Sequence, residues 1–397
     1  MRVAMVHWAF PPIIGGVETH LAMLCPEFIR RGHSVYLLTG SAPGCPEREN
    51  WQGLVIERTP LMDLNNLTLE SICSNAGAIF DRLASFIRNV RPDVVHAHNL
   101  HYFSPVHARA LQQICRELGL PLILTAHNVW EDDLWQEMNA LADGWEAVIA
   151  VSHYIRQELI ASGYDPTKVT VVYHGTDPQL FHPPAPAELE AIYARYPQFK
   201  GRKVIFHPAR MSHAKGCDVS IRALSLIREQ VPEALLVMAG TRYTVDWGHK
   251  QPGEIADLQE LIRELDLEEH VYLRQFSWQE MPDIYRAAHI CVYPSAFEEP
   301  FGLAMLESMA SGKPLIVTRS GGMAEIITPA RNGFAIPRGD YRALARLCLM
   351  LLQKPGLAAW IGQRARQEVL ARYTTAIMVG NTLAVYKRVV KGVLKAS

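Results

Sequence analysis

Short runs of apolar residues alternate with amphipathic stretches along the whole chain. In the first half, six runs have the length of buried strands; they are 3–6, 35–38, 94–95, 122–124, 148–151 and 169–172. The stretches between them, such as 79–90 and 105–118, place apolar residues at helical spacing. Uninterrupted apolar strands separated by helices are typical of a parallel sheet that is covered on both faces. The first half therefore predicts a doubly wound α/β domain.

The pattern is interrupted at 181–186, where three prolines exclude a continuous helix or a central strand. The alternation resumes afterwards, with apolar runs at 203–206, 235–238, 271–273, 290–293 and 315–317. We therefore expect two tandem Rossmann-like domains, 1–178 and 201–374, joined by a linker at 179–200. Ligands of such sheets bind at the carboxyl ends of the strands, so two binding edges are expected to face each other across a cleft.

Composition narrows the class of protein. The chain has 397 residues, 49% of them hydrophobic, and a formal net charge of −1, which gives no electrostatic basis for binding nucleic acid. Its seven cysteines are scattered without a C-x-x-C pair, which favours reduced thiols over a disulfide framework or a structural zinc site. The sequence begins on a strand pattern and has no apolar run near 18 residues. We expect a cytoplasmic protein.

The segment from Phe297 to Leu303 carries the most chemical information. It reads Phe-Glu-Glu-Pro-Phe-Gly-Leu, follows an apolar strand, and leads into a helix expected to start near Gly302 and to end before Gly312. Glu299 and Glu307 frame the start of this helix. Free backbone N–H groups there suit a phosphate, and the two carboxylates can accept hydrogen bonds from sugar hydroxyls. The alternative is that both are solvated charges at a helix end.

A second glycine-rich turn lies near the start of the chain. Gly15, Gly16 and Glu18 follow the first strand and open a helix that runs to Arg30. The two glycines allow a close backbone approach to a ligand, and the helix N-terminus favours phosphate. The dinucleotide fingerprint G-x-G-x-x-G is absent. An ordinary strand-to-helix turn is the alternative.

Polar residues follow several of the predicted strands directly. His98 and His127 stand at two strand ends, where a histidine can donate to a sugar hydroxyl. Histidines satisfied by the backbone or the core are the alternative. Arg210 and Lys215 follow the strand at 203–206, and two cations at one strand end can neutralise a diphosphate. For these two, ordinary surface charges are the alternative.

The spacing of Glu299 and Glu307 resembles the E-x7-E motif of retaining glycosyltransferases, above all family 4 on the two-domain GT-B scaffold. The resemblance covers nearly the whole chain, because further motifs occur in the order of that family. They are Gly15-Gly16, His127, the R-x4-K-G pattern of 210–216 and the G-G-x-x-E element of 321–325. The resemblance implies an α/β GT-B fold with two Rossmann-like, doubly wound parallel-sheet domains facing across a cleft. It also implies that the last helix, 375–397, crosses back to the first domain.

The resemblance also implies roles for individual residues. Catalytic roles pass to His127, Arg210, Lys215 and Glu299. Donor-binding roles pass to Gly15, Gly16, Gly240, Arg274, Phe276, Phe301, Gly302, Leu303 and Glu307. On the acceptor side, the resemblance implies the first domain and Glu18; the residues themselves add His98 at a strand end and Trp130, Asp132 and Asp133 on one loop.

The implied activity is that of a retaining hexosyltransferase in carbohydrate biosynthesis. It moves a sugar from a nucleotide-diphosphate donor, a UDP- or GDP-sugar, to a hydroxyl of a glycan or a small-molecule glycoside. No cofactor and no metal are expected, because the cations take the place of a metal and no metal-binding D-x-D motif is found. The alternatives are a nucleotide-sugar epimerase on the same fold, for which we identify no acid/base pair, and a non-catalytic nucleotide-sugar-binding protein.

For two regions of the chain, the sequence allows either a binding partner or an ordinary structural role. The loop 129–135 sets Trp130 and Trp135 around three acids, including Asp132 and Asp133, which suits a sugar ring and a cationic, amine-bearing acceptor. A solvated helix start whose acids complement the helix dipole is the alternative. The last helix is basic at 387–395, which suits peripheral contact with a membrane surface or, equally, a solvated helix end.

Overall fold

Two parallel sheets, one in each half of the chain, form the framework of this protein. The computed structural model describes residues 1–240 and 251–396. Unit 1 contains Met1–His174 and the residues from Thr375 on, and unit 2 contains the described residues from Gly175 to Thr374.

The sheet of unit 1 has eight strands in the order β3-β4-β2-β1-β5-β6-β7-β8. In chain order they are β1 Arg2–Val6, β2 Ser34–Gly40, β3 Arg48–Trp51, β4 Leu54–Thr59, β5 Val94–His98, β6 Leu122–Ala126, β7 Ala147–Ala150 and β8 Val169–Val171. Every neighbouring pair is parallel except β3 and β4, which form a hairpin at the sheet edge. The six predicted strands are confirmed, and the hairpin is an addition to them.

The sheet of unit 2 has six strands, all parallel, in the order β11-β10-β9-β12-β13-β14. They are β9 Lys203–His207, β10 Ala234–Gly240, β11 Val271–Gln275, β12 Ile290–Tyr293, β13 Leu315–Thr318 and β14 Phe334–Ile336. The five predicted strands are present, and β14 adds a short edge strand. Both halves therefore have the predicted parallel α/β architecture.

Helices connect and cover these strands. In unit 1 they are α1 Gly16–Arg30, α2 Leu69–Ser74, α3 Ala76–Val90, α4 Pro105–Glu117, α5 Asp133–Asn139 and α6 His153–Ala161. In unit 2 they are α7 Pro186–Arg195, α8 Cys217–Arg228, α9 Gln251–Glu264, α10 Met281–Ala287, α11 Leu303–Ala310, α12 Met323–Ile326, α13 Tyr341–Gln353 and α14 Pro355–Arg372. Among the described residues no single helix has the length and apolarity to cross a bilayer; α13 and α14, bent by 105°, meet that test only as a pair.

The stretch 179–200, expected to be a linker, is a folded part of unit 2. Helix α7 begins at Pro186, where a fixed φ and a missing N–H suit the first helical position. Glu188 accepts a hydrogen bond of 2.7 Å from the backbone N–H of Ala185. Tyr196 and Phe199 behind the helix are buried and stack at 5.3 Å. Residues 181–185 lie outside helix and strand, as the prolines predict, and Pro186 opens helix α7.

The last helix, α15 Thr375–Ala396, packs in unit 1. Met378, Val379 and Leu383 join the same buried core as the strands of unit 1. The ring of Tyr386 stacks on Phe28 of α1 with 5.5 Å between the centroids. The first unit is thus assembled from both ends of this sequence.

Candidate active site

Residues 297–302 form a loop with two glutamates, called here the acidic loop of unit 2. It follows the carboxyl end of β12 and leads into α11. Gly302 precedes the helix with φ of 91°, a left-handed conformation that favours glycine. Gly312 follows it with φ of 68°. The predicted start and end of this helix are confirmed. Its first residue, Leu303, stands four residues after Glu299 in the chain.

Glu299 forms an ion pair with Lys215 at the carboxyl edge of the sheet. Both the Lys215 Nζ and the Tyr293 hydroxyl donate to Glu299 Oε1, the latter over 2.8 Å. The backbone N–H of Glu299 donates to Ser320 Oγ at 3.1 Å. Glu299 is buried, with 5% of its surface exposed. A buried carboxylate held by a cation and a hydroxyl is a strong, directional acceptor site.

The lysine is fixed by a tight turn after β9. Ser212 caps a short 3-10 helix, His213–Lys215, and Gly216 follows with φ of 73°. A Cβ on Gly216 would lie 1.9 Å from the carbonyl oxygen of Pro294. Only glycine fits there, so the K-G pair holds the lysine turn against the acidic loop. The ammonium also lies 4.4 Å from the ring centroid of Phe297.

Arg210 is half-buried three residues beyond the end of β9. Its charge acts on Tyr293 and favours the ionised phenol, although burial and then Glu299 raise the pKa of Tyr293 well above its ordinary value. The structure therefore brings Arg210, Lys215, Tyr293 and Glu299 into one charged cluster within unit 2.

Glu307 has a different partner. The hydroxyl of Tyr285 donates to Glu307 Oε2 at 2.8 Å, and it also reaches the carbonyl oxygen of Ala304 at 3.2 Å. Burial raises the pKa of Glu307 from 4.5 to about 7, which the hydrogen bond from Tyr285 only partly opposes. The two carboxylates of the motif thus differ: one is held by a cation, the other by a phenol.

The glycine pair at 321–322 supports the acidic loop. The backbone N–H of Gly322 donates to the carbonyl oxygen of Glu299 at 2.8 Å. Gly321 has φ of 43°, and a Cβ there would lie 2.3 Å from the same oxygen. These glycines allow two backbone segments to approach closely, and Glu325 follows in α12. Phe301 is buried beneath the loop and Leu303 is half-buried at the start of α11.

In unit 1, both predicted histidines lie at the carboxyl edge of the sheet. His98 is the last residue of β5, and His127 follows β6 directly. Their rings meet, with 3.0 Å between His98 Nδ1 and His127 Nε2. The backbone N–H of His127 donates to Asn99 Oδ1 at 2.8 Å. Parallel neighbours end at the same edge, which explains why two histidines 29 residues apart in the chain are in contact.

Two further buried histidines join this pair. His20 on α1 lies with its ring centroid 4.9 Å from that of His127. His174, after β8, places its Nδ1 2.8 Å from His20 Nδ1. Burial lowers the pKa of all four rings below the ordinary value of 6.5, and the neighbouring histidines lower those of His20, His98 and His127 further. These imidazoles are therefore neutral at pH 7.

The glycine turn of unit 1 has the predicted form. Gly15 is the extended N-cap residue of α1, and Gly16 is its first residue. A Cβ added to Gly16 would meet no atom within 4 Å, so the surface above it is open in unit 1. Glu18, in the first turn, is buried and accepts from His7 Nε2 at 2.9 Å.

The aromatic and acidic loop of unit 1 is organised around Tyr102. Trp130 stacks flat on Tyr102 with 3.9 Å between centroids. Asp132 caps α5 by accepting from the backbone N–H of Trp135 at 2.9 Å, and its other oxygen accepts from the Tyr102 hydroxyl. Asp133 is exposed in the first turn of that helix. Asp132 therefore makes the helix-capping contact that is expected if this loop is simply the solvated start of a helix, the alternative to an acceptor site.

Comparisons with known proteins agree with this geometry. The family model described as Glycosyltransferase Family 4 matches residues 14–180, and the one described as Glycosyl transferases group 1 matches residues 190–368. The chain belongs to the family 4 glycosyltransferases. An uncharacterized glycosyltransferase of Methanocaldococcus jannaschii is 27% identical over 98% of both chains. The glycogen synthase of Mycobacterium tuberculosis is 25% identical over 99% of this chain and 96% of its own.

The solved structures show the same fold. Anabaena HepE, solved in complex with UDP and glucose, matches with a TM-score of 0.79 and 18% identity over 98% of this chain and 99% of its own. The protein is thus a glycosyltransferase with the GT-B fold.

Two predicted donor residues of this glycosyltransferase lie away from the charged cluster. Arg274 ends up beside Glu280, with 3.0 Å between Arg274 Nη2 and Glu280 Oε1, and 5.3 Å from the ring of Phe276. Arg274 lies in β11 and Phe276 directly follows it. Strand β10 separates β11 from β9, so about two strand spacings of roughly 4.8 Å lie between these residues and the strand that precedes Lys215. Gly240 ends β10, and the residues after it lie outside the described part of the chain.

The structure also adds residues to which the sequence drew no attention. In the glycosyltransferase, Tyr293 and Tyr285 hold the two carboxylates of the motif, and His7, His20 and His174 surround the predicted histidines. One available signal was position: His7 follows β1 directly, as His127 follows β6, and His174 stands three residues beyond β8. Tyr293 is likewise the last residue of β12, whereas Tyr285 lies within helix α10 and carries no such signal.

Proposed function

We propose that this glycosyltransferase is a retaining hexosyltransferase that uses a UDP- or GDP-sugar and transfers to a hydroxyl of a glycan or a small-molecule glycoside. The observation that carries the proposal is the partly buried Lys215–Glu299 pair at the strand edge beside Arg210. It combines cations for a diphosphate with an acceptor for sugar hydroxyls. The complex of HepE with UDP and glucose supports the same class of donor.

Charge stabilisation is the main task of this site. When the bond from the sugar to the diphosphate breaks, negative charge develops on the leaving phosphate oxygens, and preorganised cations stabilise that charge. Arg210 and Lys215 supply two positive charges, and the N-terminus of α11 adds backbone N–H groups. These groups take the role that a divalent metal has in other transferases, so the reaction is proposed to proceed without one.

The two carboxylates bind different parts of the donor in this proposal. Glu299 accepts from hydroxyls of the transferred sugar, while Tyr293 keeps the carboxylate in place when Lys215 turns to the phosphate. Glu307 accepts from the ribose hydroxyls through the oxygen that Tyr285 does not use. His127 donates to the sugar, and the Gly15-Gly16 amides bind the diphosphate, as the family resemblance implies.

The acceptor side is assigned to unit 1. Trp130 presents an aromatic ring, and Asp133 an exposed carboxylate, on the loop that precedes α5. A sugar ring packs well on such an aromatic face. Glu18, His98 and Asp132 have partners inside unit 1, so they are proposed to shape the acceptor site through those partners. Retention is proposed to involve a donor phosphate oxygen that takes the proton of the acceptor hydroxyl.

Nucleotide binding tests the donor first. Unfolding is followed by thermal shift with UDP, GDP, ADP, dTDP, CMP and NAD, each with and without EDTA. A nucleotide at about 100 times its Kd stabilises the binding unit by about 2.7 kcal/mol. We expect a shift with UDP or GDP that EDTA does not change. A shift that needs a metal, or that occurs with NAD alone, would overturn the proposal.

Transfer activity then tests the charged cluster. Lys215→Met removes the cation, and Lys200→Met removes an exposed lysine of the same unit as a matched control. We expect kcat to fall by at least about 100-fold in the first variant, the size of effect found when one charge-stabilising group is lost, and to stay unchanged in the second. NMR of the product's anomeric carbon reports retention or inversion. Equal activity of both variants, or an inverted product, contradicts the mechanism.

A further inference from the structure

Three buried imidazoles of unit 1 converge on one region. His20, His98 and His127 each bring a ring nitrogen within 4.8 Å of a ring nitrogen of the other two, and all three side chains are buried. We propose that these residues, called here the histidine cluster, bind one transition-metal ion of the Zn²⁺ type. All three residues belong to unit 1, and the evidence for metal binding does not depend on the identity of the proposed donor.

The distances suit a metal centre. In a tetrahedral site with metal–nitrogen bonds of about 2.0–2.1 Å, ligand nitrogens lie about 3.3 Å apart. His98 Nδ1 and His127 Nε2 are already 3.0 Å apart. Since the three nitrogens lie within 4.8 Å of one another, His20 has to approach by at most about 1.5 Å.

The residue type is also suitable. Imidazole binds a metal through the lone pair of an unprotonated nitrogen, and a neutral imidazole carries one such lone pair.

Hydrogen bonding leaves the histidine cluster incomplete. Within the described part of the chain, His98 Nε2 and His127 Nδ1 are buried without a hydrogen-bond partner. They are not the two nitrogens of the 3.0 Å contact, so in the metal-bound state each would carry the proton of its neutral ring. His20 has the opposite arrangement: its Nδ1 contacts His174 Nδ1 at 2.8 Å, the kind of second contact that orients a metal-binding imidazole.

A buried carboxylate is connected to the site through His7. Glu18 accepts from His7 Nε2 at 2.9 Å, and His7 Nδ1 lies 3.0 Å from the carbonyl oxygen of His98. Such a carboxylate supplies negative charge for a buried dication. If His127 contacts the sugar, as in the proposed function on which this one consequence rests, metal and sugar compete for the same ring. The metal is then an inhibitor.

Cobalt provides a direct measurement of the site. The full chain without a histidine tag is treated with chelator, exchanged into chelator-free buffer and titrated with Co²⁺. Visible absorption reports coordination, and Zn²⁺ is added afterwards as competitor. We expect one equivalent of Co²⁺ to bind with tetrahedral d–d bands and to be displaced by Zn²⁺. Absence of a saturable Co²⁺ signal overturns the proposal.

The variant His20→Gln locates the metal. It is expected to weaken Co²⁺ binding by more than about 100-fold, because even outer-shell partners of a metal ligand are worth 10–100-fold. His33→Gln, a half-buried histidine of the same unit outside the cluster, is the control and should bind as the parent chain does. Equal binding by both variants refutes the site.

A second measurement does not depend on any variant folding. In the parent chain labelled with ¹³C-histidine, bound Co²⁺ is expected to shift the ring signals of a few histidines strongly and to leave the rest nearly unchanged. Assignment to the histidine cluster supports the proposal, whereas shifts confined to exposed histidines contradict it.

Discussion

Replacing Glu307 by Gln is expected to make unit 2 more stable than the parent at high pH. Burial raises the pKa of Glu307 from 4.5 to about 7, so the folded state holds this proton more tightly than the unfolded chain does. The resulting stability is fully present below pH 4.5 and is lost as the pH rises through about 7. A difference of about 2.5 in pKa corresponds to about 3.4 kcal/mol. Gln is uncharged at every pH and does not suffer this loss.

The magnitude can be measured as a difference between two proteins. The free energy of unfolding of Glu307→Gln is expected to rise relative to that of the parent as the pH increases. By the linkage relation, this difference grows by about 2.5 kcal/mol between pH 5 and pH 8. Urea unfolding of both chains without ligand, at several pH values in that range, measures it. The exposed Glu260→Gln is the control, for which the gap is expected to stay nearly constant.

The outcome also tests the contact with Tyr285. The amide oxygen of Gln can still accept the phenol hydrogen, so the substitution is expected to be mild at pH 5. A gap that does not change with pH would mean that Glu307 is ionised across the range, and that its burial is compensated by something other than the 2.8 Å bond from Tyr285.

Two glycines of the site give opposite expectations. Gly16→Ala adds a Cβ that meets no atom within 4 Å, so Tm should stay constant or rise by the equivalent of up to about 1 kcal/mol. If donor phosphate approaches this turn, kcat/KM for transfer should nonetheless fall at least tenfold; unchanged kcat/KM removes the turn from the donor site. Gly216→Ala sets a Cβ 1.9 Å from the Pro294 carbonyl oxygen at φ of 73°, so unfolding should cost at least about 2 kcal/mol less free energy. Chemical denaturation measures this, and a parent-like midpoint would contradict it.

The residues at the ends of helices and strands explain which of these elements could be predicted. Helices α1 and α11 start beside Gly16 and Gly302, and strand β12 is a clear apolar run, so pattern and turn chemistry agree there. Strand β3 reads Arg-Glu-Asn-Trp and lies at the sheet edge, where an apolar pattern is not required. Helix α7 could not be predicted from the proline-rich stretch, because Pro186 occupies the first turn of a helix, the one helical position that tolerates it.

The site was predictable only as far as strand ends reveal it. His127, Arg210 and Lys215 could be found because each follows a strand, and parallel strands share one carboxyl edge. The partner of Glu299 could not, since Lys215 lies 84 residues away and only the sheet order places the two side by side. A pKa set by burial, as for Glu307, likewise depends on packing that no local pattern contains.

Helix α15 has a consequence for how the protein is made. Unit 1 needs the side chains of Met378 and Val379 to fill its core, and the Tyr386 hydroxyl lies 2.6 Å from Nδ1 of the buried His96. During synthesis domains usually fold in order from the N-terminus. Here the first unit to emerge from the ribosome stays without part of its interior until the whole of unit 2 has been translated. Its apolar surface is open for that interval, so we expect a fragment ending at residue 174 to aggregate more readily than the full chain.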